Sequence, residues 1–374
     1  MFRMVYPYLA VFARGLGIDL QTISLALTLR SLTGAFAPFL AYIGDSRGRK
    51  VGMLAGLGIF IIGLTLVIIW PTFTTFILAL IFSMLGKYMY DPSMQAYLGD
   101  RVNYDRRGRV LAITELSWSL SFLVGVPVMG FLIGRYGWQA PFPLLTLLGI
   151  VAFGVLAWMI PLDEVQSRQS EGFRKNVSKV LSNPPVRAGL LMALFFSSAN
   201  EVINLVFGIW LESSFGLIIA GLGAAAAAIG ISELAGESIA AAVTDRLGKP
   251  RAINIGIGLN CLAVLLLPAL GISMAGALFG LFLFYLTFEF ALVSSVPLMT
   301  EVLPSARATV MAFTTASVSL GRALGALIAS PLFLYGESSA GIPDMLPNAI
   351  AAILLNVAAL VALRYLRQRM MTDA

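Results

Sequence analysis

The sequence contains few charged residues: Asp, Glu, Lys and Arg make up 12% of its 374 residues, whereas hydrophobic residues make up 59%. Soluble proteins are about 25% charged and about 45–50% apolar. The chain therefore lacks the polar surface that a soluble enzyme, a nucleic-acid-binding protein or a disordered chain needs. The mean hydropathy of +0.89 indicates a membrane protein. The net charge of +6 is interpreted as membrane topology, and no nucleic acid is expected as a partner.

Histidine is absent, and Cys261 is the only cysteine. A single thiol excludes a disulfide framework and a thiolate metal cluster within one chain. Without histidine the chain lacks the commonest metal ligand and the one side chain that titrates near neutral pH without help. No metal or cofactor is expected, and any proton handling must fall to Asp and Glu. The nucleotide-binding pattern Gly-x4-Gly-Lys-Ser/Thr is also missing, so ATP is not the expected energy source.

Long apolar stretches occupy most of the chain. The twelve stretches, here called spans 1 to 12, cover residues 4–13, 22–43, 51–70, 73–98, 110–133, 138–160, 188–211, 217–243, 252–270, 275–299, 309–335 and 346–363. Most reach the roughly 20 residues that a helix needs to cross the hydrocarbon core, and none alternates like a strand of a membrane barrel. Span 1 is too short and is interpreted as a truncated helix. The alternative is an eleven-span protein with a short re-entrant start.

Lys and Arg are distributed unevenly between the connections. Alternate connections and the C-terminal tail hold 19 of the 25 Lys and Arg residues, or 20 with Arg3, whereas the intervening connections hold only Arg14 and Arg135. Cytoplasmic loops carry such an excess, so both termini are predicted to be cytoplasmic. The compact loops favour the cytoplasmic (inner) membrane as the location.

The only long polar stretch, residues 161–187, separates spans 6 and 7. We expect it to be a cytoplasmic central loop between an N-terminal six-helix bundle, residues 1–160, and a C-terminal six-helix bundle, residues 188–374. A repeat at an offset near 200 residues supports this division: Asp45-Ser46-Arg47-Gly48-Arg49-Lys50 follows span 2, and Asp245-Arg246-Leu247-Gly248-Lys249 follows span 8. The predicted fold class is an all-α membrane protein of two six-helix bundles, with about twelve transmembrane helices.

These two turns, the Arg-Arg-Gly-Arg sequence at 106–109 and the twelve-span plan resemble the major facilitator superfamily over essentially the whole chain, in particular its drug/proton antiporter-like branch. The family's loop pattern is Gly-x3-Asp-Arg-x-Gly-Arg-Arg/Lys. The matching residues are Asp45, Gly48, Arg49 and Lys50 in the first turn and Asp245, Arg246, Gly248 and Lys249 in the second. Ala41 and Ser46 depart from the pattern. The resemblance implies that these residues, with Arg47, form a conformational latch that stabilises the outward-facing state.

Nine ionisable residues fall within the predicted spans. Six are acidic and three are basic: Arg30, Lys87, Asp91, Glu115, Glu201, Glu233, Glu237, Glu289 and Arg322. Each costs about 2.5–3.5 kcal/mol at mid-bilayer on insertion scales, so each is expected to face the protein interior or a wet cavity. The excess of acid lies in the second half of the chain.

Glu201, Glu233 and Glu289 lie near the middles of spans 7, 8 and 10, with too few basic residues to pair them all. A buried carboxyl without a cation beside it favours its protonated form. At least one of the three is therefore predicted to take up and release a proton during transport. Structural hydrogen bonding through a protonated carboxyl is the alternative.

The remaining intramembrane residues have two interpretations each. Lys87 and Asp91 are spaced i, i+4 on one helix, so a self-neutralising structural pair and a functional site are both open. Arg30 and Arg322 are expected to hold helices together by pairing with Asp91, Glu115 or Glu289. Arg30, Asp91, Glu115 and Arg322, together with Asn200 of span 7, stay candidates for proton coupling or substrate binding.

The family's antiporter branch carries a Gly-x8-Gly-x3-Gly-Pro-x2-Gly pattern in span 5, which Pro127 and Gly130 match only in part. The resulting hypothesis is a secondary active transporter that moves a small amphipathic or cationic solute by alternating access, with proton-coupled export. The proton gradient is the expected energy source, membrane lipid the surrounding partner and a monomer the working unit. A lipid or lysolipid translocator and an uncoupled solute facilitator are the alternatives. No nucleophile and base occur together, so an enzyme is not expected.

Overall fold

The computed structural model describes residues 2–40, 47–101, 120–161, 171–303, 306–340 and 345–372. These residues form helices joined by short turns, and no strand occurs among them. Ten of the helices are long and apolar enough to cross a membrane. The corresponding spans run over Leu20–Leu32 and Thr33–Phe36 (span 2), Arg49–Ile69 (3), Phe73–Arg101 (4), Pro141–Met159 (6), Pro184–Asn204 and Phe207–Phe215 (7), Ile219–Leu247 (8), Lys249–Leu270 (9), Met274–Val302 (10), Arg307–Ala340 (11) and Leu346–Thr372 (12). The predicted all-α membrane fold is confirmed.

Spans 1 and 5 are shorter in the described part of the chain. Span 1 consists of a 3-10 turn, Phe2–Val5, and a helix, Leu9–Leu16. Span 5 begins in the described residues with a π-helical turn, Ser121–Gly125, which continues into the helix Val126–Tyr136.

The central polar stretch contains a helix of its own, Glu171–Ser182. Span 7 then begins at Pro184, so the predicted start at residue 188 was wrong. The Asn183 side chain accepts a hydrogen bond from the Val186 N–H at 3.0 Å, and proline is favoured in the first helical turn, where its missing N–H costs nothing. These local signals begin the helix before its apolar residues. The division into residues 1–160, 161–187 and 188–374 stays a prediction.

Glycine turns mark the two ends of the bundle. We call the end that carries Gly17, Gly137 and Gly216 the Gly17 end, and the opposite end, where spans 3 and 9 begin, the Gly48 end. Gly48 and Gly248 have φ of 100° and 82°, a region that favours glycine because it has no Cβ. Both residues precede the first residue of a span. Gly48 and Gly248 thus have similar conformations at equivalent places in the two sequence repeats.

The turn after Gly17 leads into span 2 through a side-chain cap. The Asp19 carboxylate accepts a hydrogen bond from the Thr22 N–H at 2.6 Å, which satisfies one of the free amides at the helix start. The same hydrogen bond lowers the pKa of the exposed Asp19 carboxyl.

The first six and last six spans pack against each other through spans 2 and 11, 5 and 8, and 1 and 7. Small residues permit this approach: a Cβ on Gly230 would lie 2.8 Å from the Leu123 nitrogen, and a Cβ on Gly208 would lie 2.6 Å from the Pro7 carbonyl oxygen. Small interface residues let membrane helices approach closely. This packing brings the middles of six spans together around one buried point.

Candidate functional site

Polar side chains from spans 1, 2, 7, 8, 10 and 11 meet at the centre of the bundle. We call them the central cluster: Arg3, Tyr6, Arg30, Asn200, Glu201, Asn204, Glu233, Tyr285, Glu289 and Arg322. All are buried except Arg322, which is half-buried. Most of them, with Phe122 and Phe288, line a cavity of about 20 Å³. A cavity of this size holds about one water molecule.

Glu201 is held by hydrogen bonds at both carboxylate oxygens. The Tyr6 hydroxyl donates to Oε1 at 2.7 Å, and Asn204 Nδ2 donates to Oε2 at 3.3 Å. Arg30 Nη2 in turn donates to the Tyr6 hydroxyl at 2.7 Å, and the Tyr285 hydroxyl donates to Asn204 Oδ1 at 2.6 Å. Because these bonds link spans 1, 2, 7 and 10, Glu201 organises the packing of four helices.

Glu233 forms a buried ion pair with Arg3. The Arg3 guanidinium also lies 3.8 Å from the centre of the Phe122 ring, a cation–π contact that favours the charged guanidinium. The prediction of too few bases to pair all three carboxyls did not count Arg3, and the assignment of Arg3 to the terminal charges was wrong. Arg3 precedes the first apolar stretch in the sequence, but the Phe2–Val5 turn lies inside the bundle and carries the side chain to its centre.

Glu289 differs from the other two carboxyls. It is 5% exposed and, among the described residues, it makes no hydrogen bond or ion pair. It lines the central cavity beside Glu233 and Arg322. Gly236 of span 8 makes room for it, since a Cβ there would lie 3.1 Å from the Glu289 Cβ.

The charges of the central cluster balance. Three guanidiniums, of Arg3, Arg30 and Arg322, accompany the three carboxyls of Glu201, Glu233 and Glu289. The excess of acid in the second half of the chain is offset in this cluster, because the first six spans contribute Arg3 and Arg30 to it. The central site is thus shared by both sets of spans.

The other predicted site residues lie partly inside and partly outside the central cluster. Lys87 and Asp91 pair with each other on span 4, with side chains 37% and 35% exposed. Arg30 donates a hydrogen bond to the Tyr6 hydroxyl, and its pairing with Asp91, Glu115 or Glu289 stays a prediction. Asn200 lines the central cavity. Glu115 lies outside the described residues.

The predicted latch residues lie at the Gly48 end. Lys50 donates to the Ala157 carbonyl at 2.7 Å, which ties the start of span 3 to the end of span 6. Lys249 pairs with Glu301 at the end of span 10. The remaining described members are Arg47, Asp245 and Arg246, which are exposed, and Arg49, which is half-buried. Asp45 lies outside the described residues, and the latch function stays a prediction.

Sequence reasoning missed Tyr6, Asn204 and Glu301. A polar cluster in the middle of span 7, Ser-Ser-Ala-Asn-Glu-Val-Ile-Asn at 197–204, was the available signal for Asn204, because it lies one helical turn after Glu201. Tyrosines in apolar helices carry no such signal. Glu301 follows the predicted end of span 10, and nothing in the sequence places it beside Lys249.

A helical membrane bundle with a buried polar site shared by its two sets of spans has the architecture of a secondary transporter. Comparison with known proteins identifies the family: the Major Facilitator Superfamily model matches residues 1–369, and the chain belongs to this superfamily. The predicted family is confirmed. The protein is a multi-pass membrane transporter for small-molecule solutes and not an enzyme.

Individual relatives are similar along most of the chain. An uncharacterized MFS-type transporter of Bacillus subtilis, YwfA, is 26% identical over 355 residues, 91% of this chain and 84% of its own. A multi-drug resistance efflux pump PmrA homolog of Lactococcus lactis is 23% identical over 269 residues, 68% of this chain and 65% of its own. The crystal structure of a D-xylose-proton symporter matches with a TM-score of 0.76 and 14% identity, over 98% of this chain and 92% of its own, which shows the fold alone.

Proposed function

We propose that this protein exports small amphipathic or cationic solutes in exchange for protons, by alternating access of spans 1–6 and spans 7–12 around the central cluster. The observation that carries this function is Glu289, a buried carboxyl that lines the central cavity and has no hydrogen bond or ion pair among the described residues. The relative named as a multi-drug resistance efflux pump supports the direction and the solute class, and a second relative, named as a multidrug resistance protein, supports the solute class.

The three central carboxyls differ in their partners. Glu201 accepts hydrogen bonds at both oxygens, and Glu233 pairs with the Arg3 guanidinium. Burial without such partners favours the neutral form of a carboxyl. Glu289 is therefore the carboxyl best suited to carry the exchanged proton, and the adjacent cavity has space for a water molecule that can exchange a proton with it.

A cationic solute and a proton can both neutralise the same carboxylate. If the two compete for Glu289, binding of one requires release of the other, and this exclusion couples their movements in opposite directions. The aromatic rings of Phe122, Tyr285 and Phe288 line the same cavity and suit an amphipathic molecule. Because the cavity of about 20 Å³ is too small for such a solute, the spans around it must separate to bind one, as alternating access requires.

A protein with this function would lie in the cytoplasmic membrane, and we expect both of its termini to be in the cytoplasm. The Gly48 end then faces the cytoplasm and the Gly17 end the exterior. One chain contains a complete central site, so we expect it to work as a monomer, with membrane lipid around it and the proton gradient as its energy source.

The test is solute-triggered proton movement in proteoliposomes with an imposed pH gradient and an internal pH dye, challenged with a panel of amphipathic cations. We expect the proton flux to fall at least tenfold in Glu289→Gln, because glutamine cannot exchange a proton. Glu337→Gln, which makes the same change at an exposed position of span 11, should retain the full flux.

Two other outcomes would overturn the proposal. Equilibration of labelled solute without proton flux in the wild type would identify an uncoupled facilitator. Movement of labelled lysolipid, with no response to any cation, would identify a lipid translocator.

A further inference from the structure

A second, larger cavity lies at the Gly17 end. Its volume is about 970 Å³, and residues of spans 1, 5, 7 and 8 line it, together with the turn between spans 7 and 8. None of its lining residues belongs to the central cavity. We call it the Gly17 cavity. Pockets of about 300–1,000 Å³ accommodate drug-sized molecules, so this one has room for a ligand that the central cavity cannot hold.

The walls of the Gly17 cavity are mainly apolar, with Phe131, Leu217 and Leu222 among the larger side chains. Gly134 contributes to its width. A Cβ on Gly134 would have only one neighbour within 4 Å, the Ile219 Cγ2 at 3.9 Å, so open space lies next to this position. Apolar walls of this extent fit an aliphatic chain.

The charged residues of the Gly17 cavity are Arg14, Arg135 and Glu212. Arg14 Nη1 lies 2.6 Å from Glu212 Oε1, so these two charges pair. Arg135 has no acidic partner among the described residues, and its guanidinium lies 5.9 Å from the Tyr136 ring centre. The cavity therefore carries one positive charge that is not compensated within the described part of the chain.

The start of span 8 adds to the positive electrostatic potential of the Gly17 cavity. Residues 218–220 line the cavity, and Ile218, the residue that precedes the helix, provides no side-chain cap. Free amides at a helix start attract negative charge. The main attraction for an anion nevertheless comes from Arg135, which lies in the cavity wall.

We propose that the Gly17 cavity binds a single-chain amphiphilic anion, with its carboxylate or phosphate head group at Arg135 and its aliphatic tail along the apolar walls. This ligand has the opposite charge to the solute proposed for the central cluster, and its site is separate. Binding at the Gly17 cavity does not depend on proton exchange at Glu289.

The experiment measures fluorescence binding of dansyl-labelled undecanoate to the purified full chain in neutral detergent micelles without a pH gradient. The uncharged methyl ester of the same probe is the matched ligand. We expect Arg135→Gln to weaken binding of the anion at least tenfold and binding of the ester less than twofold. Gly134→Leu, which narrows the cavity, should weaken both.

Matched variants test whether these effects are specific. Arg367→Gln removes an exposed arginine near the end of span 12, and Gly58→Leu adds a side chain to a glycine with nothing within 4 Å. Both should bind the two probes like the wild type. A melting temperature within about 2 °C of the wild type would show that a variant is folded. Arg135→Lys keeps the positive charge at this position, so it should retain binding of the anion.

Competition distinguishes the sources of the head group. Lysophosphatidate should displace the probe, and inorganic phosphate should not. Displacement by inorganic phosphate at equal concentration would identify a simple anion site and overturn the proposal. Unchanged anion binding in Arg135→Gln would also overturn it, as would an equal loss of binding in Glu289→Gln, which would place the probe in the central cluster.

Discussion

Two ion pairs of the same chemistry join the first six spans to the last six, one in the central cluster and one at the Gly17 end. The Arg3 and Glu233 side chains are 9% and 2% exposed, whereas the Arg14 and Glu212 side chains are 61% and 26% exposed. Water therefore has more access to the pair at the Gly17 end than to the pair at the centre. Burial thus decides how strongly the protein depends on each pair.

Arg3→Leu should have the largest effect on stability. It removes the cation that pairs with Glu233 and leaves a buried carboxyl, which typically costs about 3–5 kcal/mol. The free energy of unfolding, measured by denaturant titration in mixed micelles, should fall by this amount. The double variant Arg3→Leu with Glu233→Leu should recover most of the loss, because it leaves no buried charge. A loss below about 1 kcal/mol in the single variant would show that burial does not distinguish the two pairs.

Tyr6→Phe should have an intermediate effect. The Tyr6 hydroxyl accepts from Arg30 and donates to Glu201, and hydrogen bonds to charged groups contribute about 1.5–3 kcal/mol each. Tyr8→Phe is the matched control, because the Tyr8 hydroxyl donates to the neutral Val126 carbonyl at 3.1 Å and its loss should cost about 0.5–1.5 kcal/mol. Equal losses of unfolding free energy in the two variants would contradict a special role for the charged network.

Arg14→Gln should have the smallest effect. Exposed ion pairs contribute about 0–1 kcal/mol, and salt screens them further. The unfolding free energies of the variant and the wild type should therefore differ by less than about 1 kcal/mol at low salt and converge at 1 M salt. A loss as large as that of Arg3→Leu would mean that the Gly17 end is as dependent on its ion pair as the centre.

Several features of the fold could be predicted from the sequence because they depend on neighbouring residues. Hydropathy identified the spans, and the repeated turns at Gly48 and Gly248 identified the family. The start of span 7 was predicted four residues late, because Asn183 and Pro184 begin the helix before its apolar residues.

The candidate site could be predicted only as a set of residues. Glu201, Glu233 and Glu289 were recognised because a charge in an apolar span is costly wherever it lies. Their different partners could not be predicted, since Arg3 and Glu233 lie 230 residues apart and Tyr6 and Glu201 lie 195 residues apart.

The sequence by itself therefore determined the membrane environment, the helices, the family and the residues that must avoid lipid. The tertiary structure alone decided that Glu201 is hydrogen-bonded, that Glu233 is paired and that Glu289 lines a cavity without such bonds among the described residues. The physical reason is that hydropathy measures only the preference of each helix for lipid over water. The partner of a buried charge depends instead on how distant helices rotate and pack against one another.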